Sequence, residues 1–75
     1  MDNRQTEKKR IGNSLKTIRE LKGYTQLEIS KLTETSKGQI SEIERGLRYP
    51  PLPLLIRLKQ IYGTNIDKII DIYSA

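Results

Sequence analysis

The side chains best suited to chemistry in this chain gather between Ser36 and Arg48. With Ile40 and Ile43 directed inward on a helix of 3.6 residues per turn, Gly38, Ser41, Glu42 and Arg45 point outward, and Lys37 and Gln39 occupy the two flanks. That face carries mixed hydrogen-bond donors and acceptors and no nucleophile paired with a base, which is the chemistry of recognition. Catalysis has little to draw on. The chain has no cysteine and no histidine, so bond-making would fall to carboxylates, lysine, serine or tyrosine, and no paired arrangement of these is visible. The same absence excludes disulfides and leaves only carboxylates for a metal, so no metal and no cofactor is expected.

Two short helices must position that face. Thr25 followed by Glu28, and Ser36 followed by Gln39, are both S/T-x-x-E/Q capping boxes, in which a hydroxyl and an N3 side chain each satisfy a backbone N–H at a helix start. Tyr24 can pack on Ile29 as a hydrophobic staple. The connector from Thr33 to Thr35 allows only a tight turn, so the two helices must cross steeply. That is helix-turn-helix geometry, whose second helix can enter a DNA major groove.

Size and charge agree with a small binding module. Seventy-five residues make one domain, near the lower limit for a single apolar core. A formal charge of +5 tilts the partner list toward polyanions, although many small domains are equally basic. Arg4, Lys8, Lys9 and Arg10 cluster at the N-terminus, and Lys37, Arg45 and Arg48 fall in or just after the second motif helix. No apolar run approaches the ~20 residues of a membrane span, so a soluble, cytoplasmic protein is expected.

The pattern predicts five helices and no strands. Residues 1–6 read as a flexible segment, and 7–75 as the domain. A first helix runs from near Thr6 to Lys22 with Ile11, Leu15, Ile18 and Leu21 inward, and Gly23 ends it. The second spans about Thr25 to Leu32, with Ile29 and Leu32 inward, and the third about Ser36 to Arg45. Pro50 and Pro51 stiffen the following loop. A fourth helix runs from about Leu52 to Tyr62, with Pro53 tolerated in its first turn, and Asn65 caps a fifth.

The order of four motif words resembles the Cro/C1-type, or XRE, helix-turn-helix family of phage repressors and bacterial regulators. They are T-Q-x-E-I-S from Thr25, I-S-x-I-E-x-G from Ile40, R-x-P-x-L-x-x-L from Arg48 and G-x-N-I-D-x-I-I from Gly63. The resemblance covers about Ile11 to Ile70. It implies an all-α, compact, five-helix, lambda-repressor-like DNA-binding domain with the helix-turn-helix at helices 2 and 3.

Roles for particular residues follow from that resemblance. Gln26 looks like a glutamine whose amide contacts a DNA phosphate, against the reading of a surface residue at an ordinary first helical position. Arg19 and Glu44 resemble a buried ion pair that serves structure. With the N-terminal end of the third helix in the groove, Lys37, Gly38, Ser41 and Glu42 would meet base edges, since lysine can donate to guanine O6 or N7 and glutamate can accept from cytosine N4. Ser36, Gln39, Arg45 and Arg48 would contact phosphates. Each has a competitor: Ser36 is first a cap, Gln39 can turn back to the Ser36 N–H, Glu42 can pair with Arg45, and Arg48 can be a solvated loop arginine. Three departures from the family pattern stand out. Glu34 occupies a turn position usually held by glycine, Ser30 a small buried position, and Pro51 the place of a capping serine.

The function implied is a sequence-specific regulator of transcription, a repressor encoded by a bacterium or phage and working on the nucleoid. It would bind an inverted repeat as a homodimer and need no small-molecule effector. Ile61, Tyr62, Ile69, Ile72 and Tyr73 are the expected dimer surface. The competing class is an antitoxin or protein-interaction module that binds a partner through helices 4 and 5.

Overall fold

The computed structural model describes residues 3–63 and 66–69. Among these the fold is all-helical: α1 Asn3–Leu21, α2 Gln26–Thr33, α3 Lys37–Glu44 and α4 Leu52–Tyr62, with residues 67–69 again helical. The expected cap Asn65, and Ile70, Ile72 and Tyr73, lie outside the described residues.

Each short helix is set by its ends. At α2 the Thr25 hydroxyl accepts the Glu28 N–H at 3.1 Å, and the Glu28 carboxylate accepts the Thr25 N–H at 2.9 Å, so the capping box is complete. Hydrogen bonding to the Thr25 backbone first, and to the Thr25 side chain second, holds the Glu28 carboxyl below its ordinary value. At α3 the hydroxyl half forms, with the Gln39 N–H donating to Ser36 Oγ at 3.1 Å. Glu34 ends α2 in the left-handed conformation, φ 55° and ψ 35°, at a cost of about 1 kcal/mol for a residue with a Cβ. Its neighbour Thr35 closes the turn by donating its N–H to the Ser30 carbonyl at 3.0 Å. Pro51 caps α4 without a side-chain bond, its carbonyl accepting the Leu55 N–H at 3.1 Å.

A single core joins Ile11 and Leu15 of α1, Ile29 of α2, Ile40 and Ile43 of α3, and Leu54, Leu55, Leu58 and Tyr62 of α4. Ile66 and Ile69 also belong to it. Two apolar residues expected inside are not there. Leu21 is 80% exposed, because Arg19 takes the inward position on the last turn of α1. Leu32 is 55% exposed, and Thr33, four residues after Ile29, is buried instead. A threonine is tolerated because its hydroxyl donates to the Ile29 carbonyl at 2.7 Å, and the buried Ser30 donates to the Leu27 carbonyl in the same way at 2.7 Å.

The first helix also begins earlier than its sequence pattern requires. No apolar residue lies between Asp2 and Arg10, yet α1 is helical from Asn3, and its turn at Glu7 and Lys8 docks on the loop after α3. The Tyr49 hydroxyl donates to Glu7 Oε1 at 2.9 Å, and Lys8 Nζ lies 5.6 Å from the centre of the Tyr49 ring.

Helices α1 and α3 meet through glycines. A Cβ on Gly12 would collide with the Ile43 carbonyl oxygen, and one on Gly46, at φ 77°, would sit 2.7 Å from Lys9 Cγ. Gly12→Ala should therefore destabilise the domain by about 1–3 kcal/mol, since backbone atoms must give way. Gly38→Ala, whose Cβ would meet nothing within 4 Å, should stabilise it by about 1 kcal/mol through helix propensity. Urea unfolding of the two variants beside the parent checks both signs.

Candidate nucleic-acid interface

The end of α1, the start of α2 and the end of α3 converge on the Glu44 carboxylate. Arg19 donates to it twice, from Nε to Oε2 at 2.8 Å and from Nη2 to Oε1 at 3.1 Å, and from Nη1 to the Tyr24 carbonyl at 2.7 Å. Gln26 Nε2 donates to the same Oε1 at 3.0 Å. The Arg19 and Glu44 side chains are only 10% and 5% exposed, and the hydrogen bond to Glu44 raises the Arg19 pKa further above its ordinary value. Because a paired carboxylate can only accept, the Gln26 amide is oriented with its NH2 group inward, leaving one N–H for another acceptor. Tyr24 and Tyr62 pack beside this knot with ring centres 6.1 Å apart, and burial, followed by the Glu44 charge, pushes the Tyr62 phenol well above its ordinary pKa.

The knot presents the N-terminal turn of α3 outward. Ile40 and Ile43 are buried, while Ser36, Lys37 and Gly38 are exposed and Gln39, Ser41 and Glu42 are half-buried. One helix end thus carries an ammonium, two hydroxyls, an amide, a carboxylate and a patch of bare backbone. Gln26, half-buried at the first position of α2, lies beside the positive end of that helix. The grouping can read donors and acceptors on a surface pressed against it, and grip anions at its edge.

The flank differs from expectation in one pairing. Glu42 faces Arg48, with Nη2 3.7 Å from Oε2, and not Arg45 at i+3. Arg45 is the C-terminal cap of α3, with its backbone still in the right-handed helical region. The Glu42–Arg48 side chains are 42% and 51% exposed, so the pair is a weak one. Arg45 is exposed and has no ion-pair partner among the described residues.

The expected dimer residues scatter. Tyr62 and Ile69 are 3% and 7% exposed inside the chain's own core, which removes them from any surface, and Ile61 is half-buried against that core. Ile72 and Tyr73 lie outside the described residues. The outer side of α4 instead shows Leu52 and Ile56, 39% and 47% exposed. The bracing of Tyr49 by Glu7 and Lys8 had no counterpart in the sequence reading; no local pattern links residues so distant in the chain.

With this geometry in view, the match to known proteins is direct. The model of a helix-turn-helix family matches residues 15–69. The chain belongs to the XRE helix-turn-helix family. It is 30% identical over 64 residues to a protein of Pyrococcus furiosus described as an HTH-type transcriptional regulatory protein, covering 85% of this chain and 20% of that one. It is 32% identical over 57 residues to the HTH-type transcriptional regulator ImmR of Bacillus subtilis, covering 76% of this chain and 45% of ImmR. The chain thus spans less than half the length of the curated relatives it matches. This is a family of DNA-binding transcriptional regulators. None of the helices among the described residues is long and apolar enough to cross a membrane.

If the Glu44 knot holds the three helices in register, Glu44→Ala should cost about 3–5 kcal/mol by leaving the Arg19 charge buried without its partner. Glu42→Ala, which breaks only the exposed pair with Arg48, should change stability by less than about 1 kcal/mol. Chemical denaturation of both variants measures the contrast.

Proposed function

We propose that this XRE-family chain is a sequence-specific duplex-DNA-binding regulator of transcription, acting without catalysis as a repressor that occupies an operator. The observation that carries the reading is the outward face of α3, where Lys37 and Gly38 are exposed and Ser41 and Glu42 half-buried, on a helix anchored from behind by Glu44. In this reading the N-terminal turn of α3 enters the major groove, Lys37 donates to a guanine edge, Glu42 and Ser41 meet neighbouring bases, and Gly38 lets the backbone approach. Gln26 supplies its remaining amide N–H to a phosphate, with Ser36, Gln39, Arg45 and Arg48 along the sugar-phosphate walls. A net charge of +5 supports the same partner.

Base contacts from one short helix discriminate too weakly for a genome, which supports two copies on an inverted repeat with half-sites about 34 Å apart. Leu52 and Ile56 on the outer side of α4 supply exposed apolar surface for such pairing more readily than Tyr62 and Ile69, which are buried.

Selection of bound duplexes from a random pool would define the operator. On that site Lys37→Ala should cost about 1–3 kcal/mol and relax preference at one base pair, whereas Arg45→Ala should weaken selected and scrambled duplexes alike. Equal losses on both duplexes for Lys37→Ala would remove its base-reading role. Wild-type binding should fall steeply as salt rises, and failure to bind any duplex even at low salt would sink the proposal.

Pairing has its own measurement. Sedimentation with the selected duplex should give two protein chains per inverted repeat, and Ile56→Asp should reduce the stoichiometry toward one while helicity by circular dichroism is unchanged. A wild-type complex of one chain per duplex would show that the operator is read by a monomer.

A further inference from the structure

The first turns of α1 precede the family-matched segment, residues 15–69, yet they pack against the end of α3. Gly46 is seated on the backbone of Lys9: a Cβ there would lie 2.8 Å from Lys9 Cα. Lys9 is therefore placed beside the segment that carries Arg45 and Arg48 on either side of Gly46. Lys9 and Arg45 are exposed, and neither has an ion-pair partner among the described residues. Nearby carboxylates are already engaged. Glu7 accepts the Tyr49 hydroxyl, Glu42 faces Arg48, and Glu44 holds Arg19 and Gln26. Lys8, over the Tyr49 ring, adds a further positive charge beside the loop.

We propose that Lys9 forms, with Arg45 and Arg48, a cationic patch that contacts the DNA phosphate backbone beyond the helix-turn-helix, so that the N-terminal turns of α1 serve binding as well as bracing. This rests on the DNA-binding reading given above. The patch follows from helix geometry as much as from charge. At about 100° per residue, Lys9 lies about 60° around α1 from Gly12, the residue that touches α3, whereas the adjacent Arg10 lies about 200° away, on the far side. Both side chains are exposed cations, so removing either changes the net charge equally. Only Lys9 stands at the α3 end. Net charge and local contact can therefore be separated within one turn of helix.

The test compares Lys9→Gln, which keeps a methylene stem over Gly46, with Arg10→Gln on the duplex selected from a random pool and on a scrambled duplex of equal length. Affinities are read between 50 and 200 mM salt. Loss of one phosphate contact lowers the logarithmic salt slope by about 0.9, so the affinity lost across that range should shrink about threefold for Lys9→Gln on both duplexes. Arg10→Gln should leave the slope unchanged, and circular dichroism should report the same helicity for all three proteins. Identical slopes for Lys9→Gln and wild type, or equal reductions in both variants, would overturn the patch while leaving DNA binding by α3 intact. A wild type that binds neither duplex at 50 mM salt would overturn both readings.

Discussion

One buried carboxylate organises this domain. Glu44 ends α3, and through Arg19 and Gln26 it ties the last turn of α1 and the first turn of α2 to the same two oxygen atoms. A charge taken out of water at this depth is tolerable only because donors surround it, and the net gain in stability from such a pair is small. Its consequence is geometric. Any slip of one helix against another would leave a buried charge without a partner, so the arrangement penalises alternative registers far more than it rewards the native one. The angle at which α3 is offered to a ligand depends on that penalty, and on the left-handed Glu34 that turns the chain between α2 and α3.

The second constraint is the closeness of α1 and α3. Gly12 lets the two backbones approach until a single methyl group would clash, and Gly46 does the same beside Lys9. Close packing of this kind turns α1 into a rigid back support for a short helix that could not persist alone, since eight residues are far too few for an isolated helix in water. The contacts of Glu7 and Lys8 with Tyr49 extend that support to the loop leading into α4. The sequence pattern starts this helix near Thr6, and the structure carries it back to Asn3.

The outward face of α3 proposed to read DNA was legible because its determinants are local. The capping residues Thr25 and Ser36, the inward pair Ile40 and Ile43, and the proline-rich loop lie within a few positions of what they control, and the structure places α2, α3 and α4 accordingly. Legibility failed where two residues on one helix competed for the inside. A count of apolar side chains favours Leu21 and Leu32, whereas the core accepts Arg19 and Thr33, each of which brings hydrogen bonds that cover its polar atoms. Tyr62 and Ile69 failed in the opposite sense: both are apolar enough for an interface, and the chain buries them itself.

By itself the sequence determined the number and order of the described helices, where α2 to α4 start and stop, and which side chains of α3 face away from the core. Those properties follow from propensity, capping and period, which act over about four residues. Only the tertiary structure decided that Glu42 meets Arg48, that Glu44 holds Gln26 as well as Arg19, and that the first turns of α1 reach Tyr49. The Arg19–Glu44 and Glu7–Tyr49 partners are 25 and 42 positions apart. Whether such partners meet is set by how helices pack around a shared core, and side-chain reach of a few ångströms makes the outcome sensitive to shifts that no local pattern encodes.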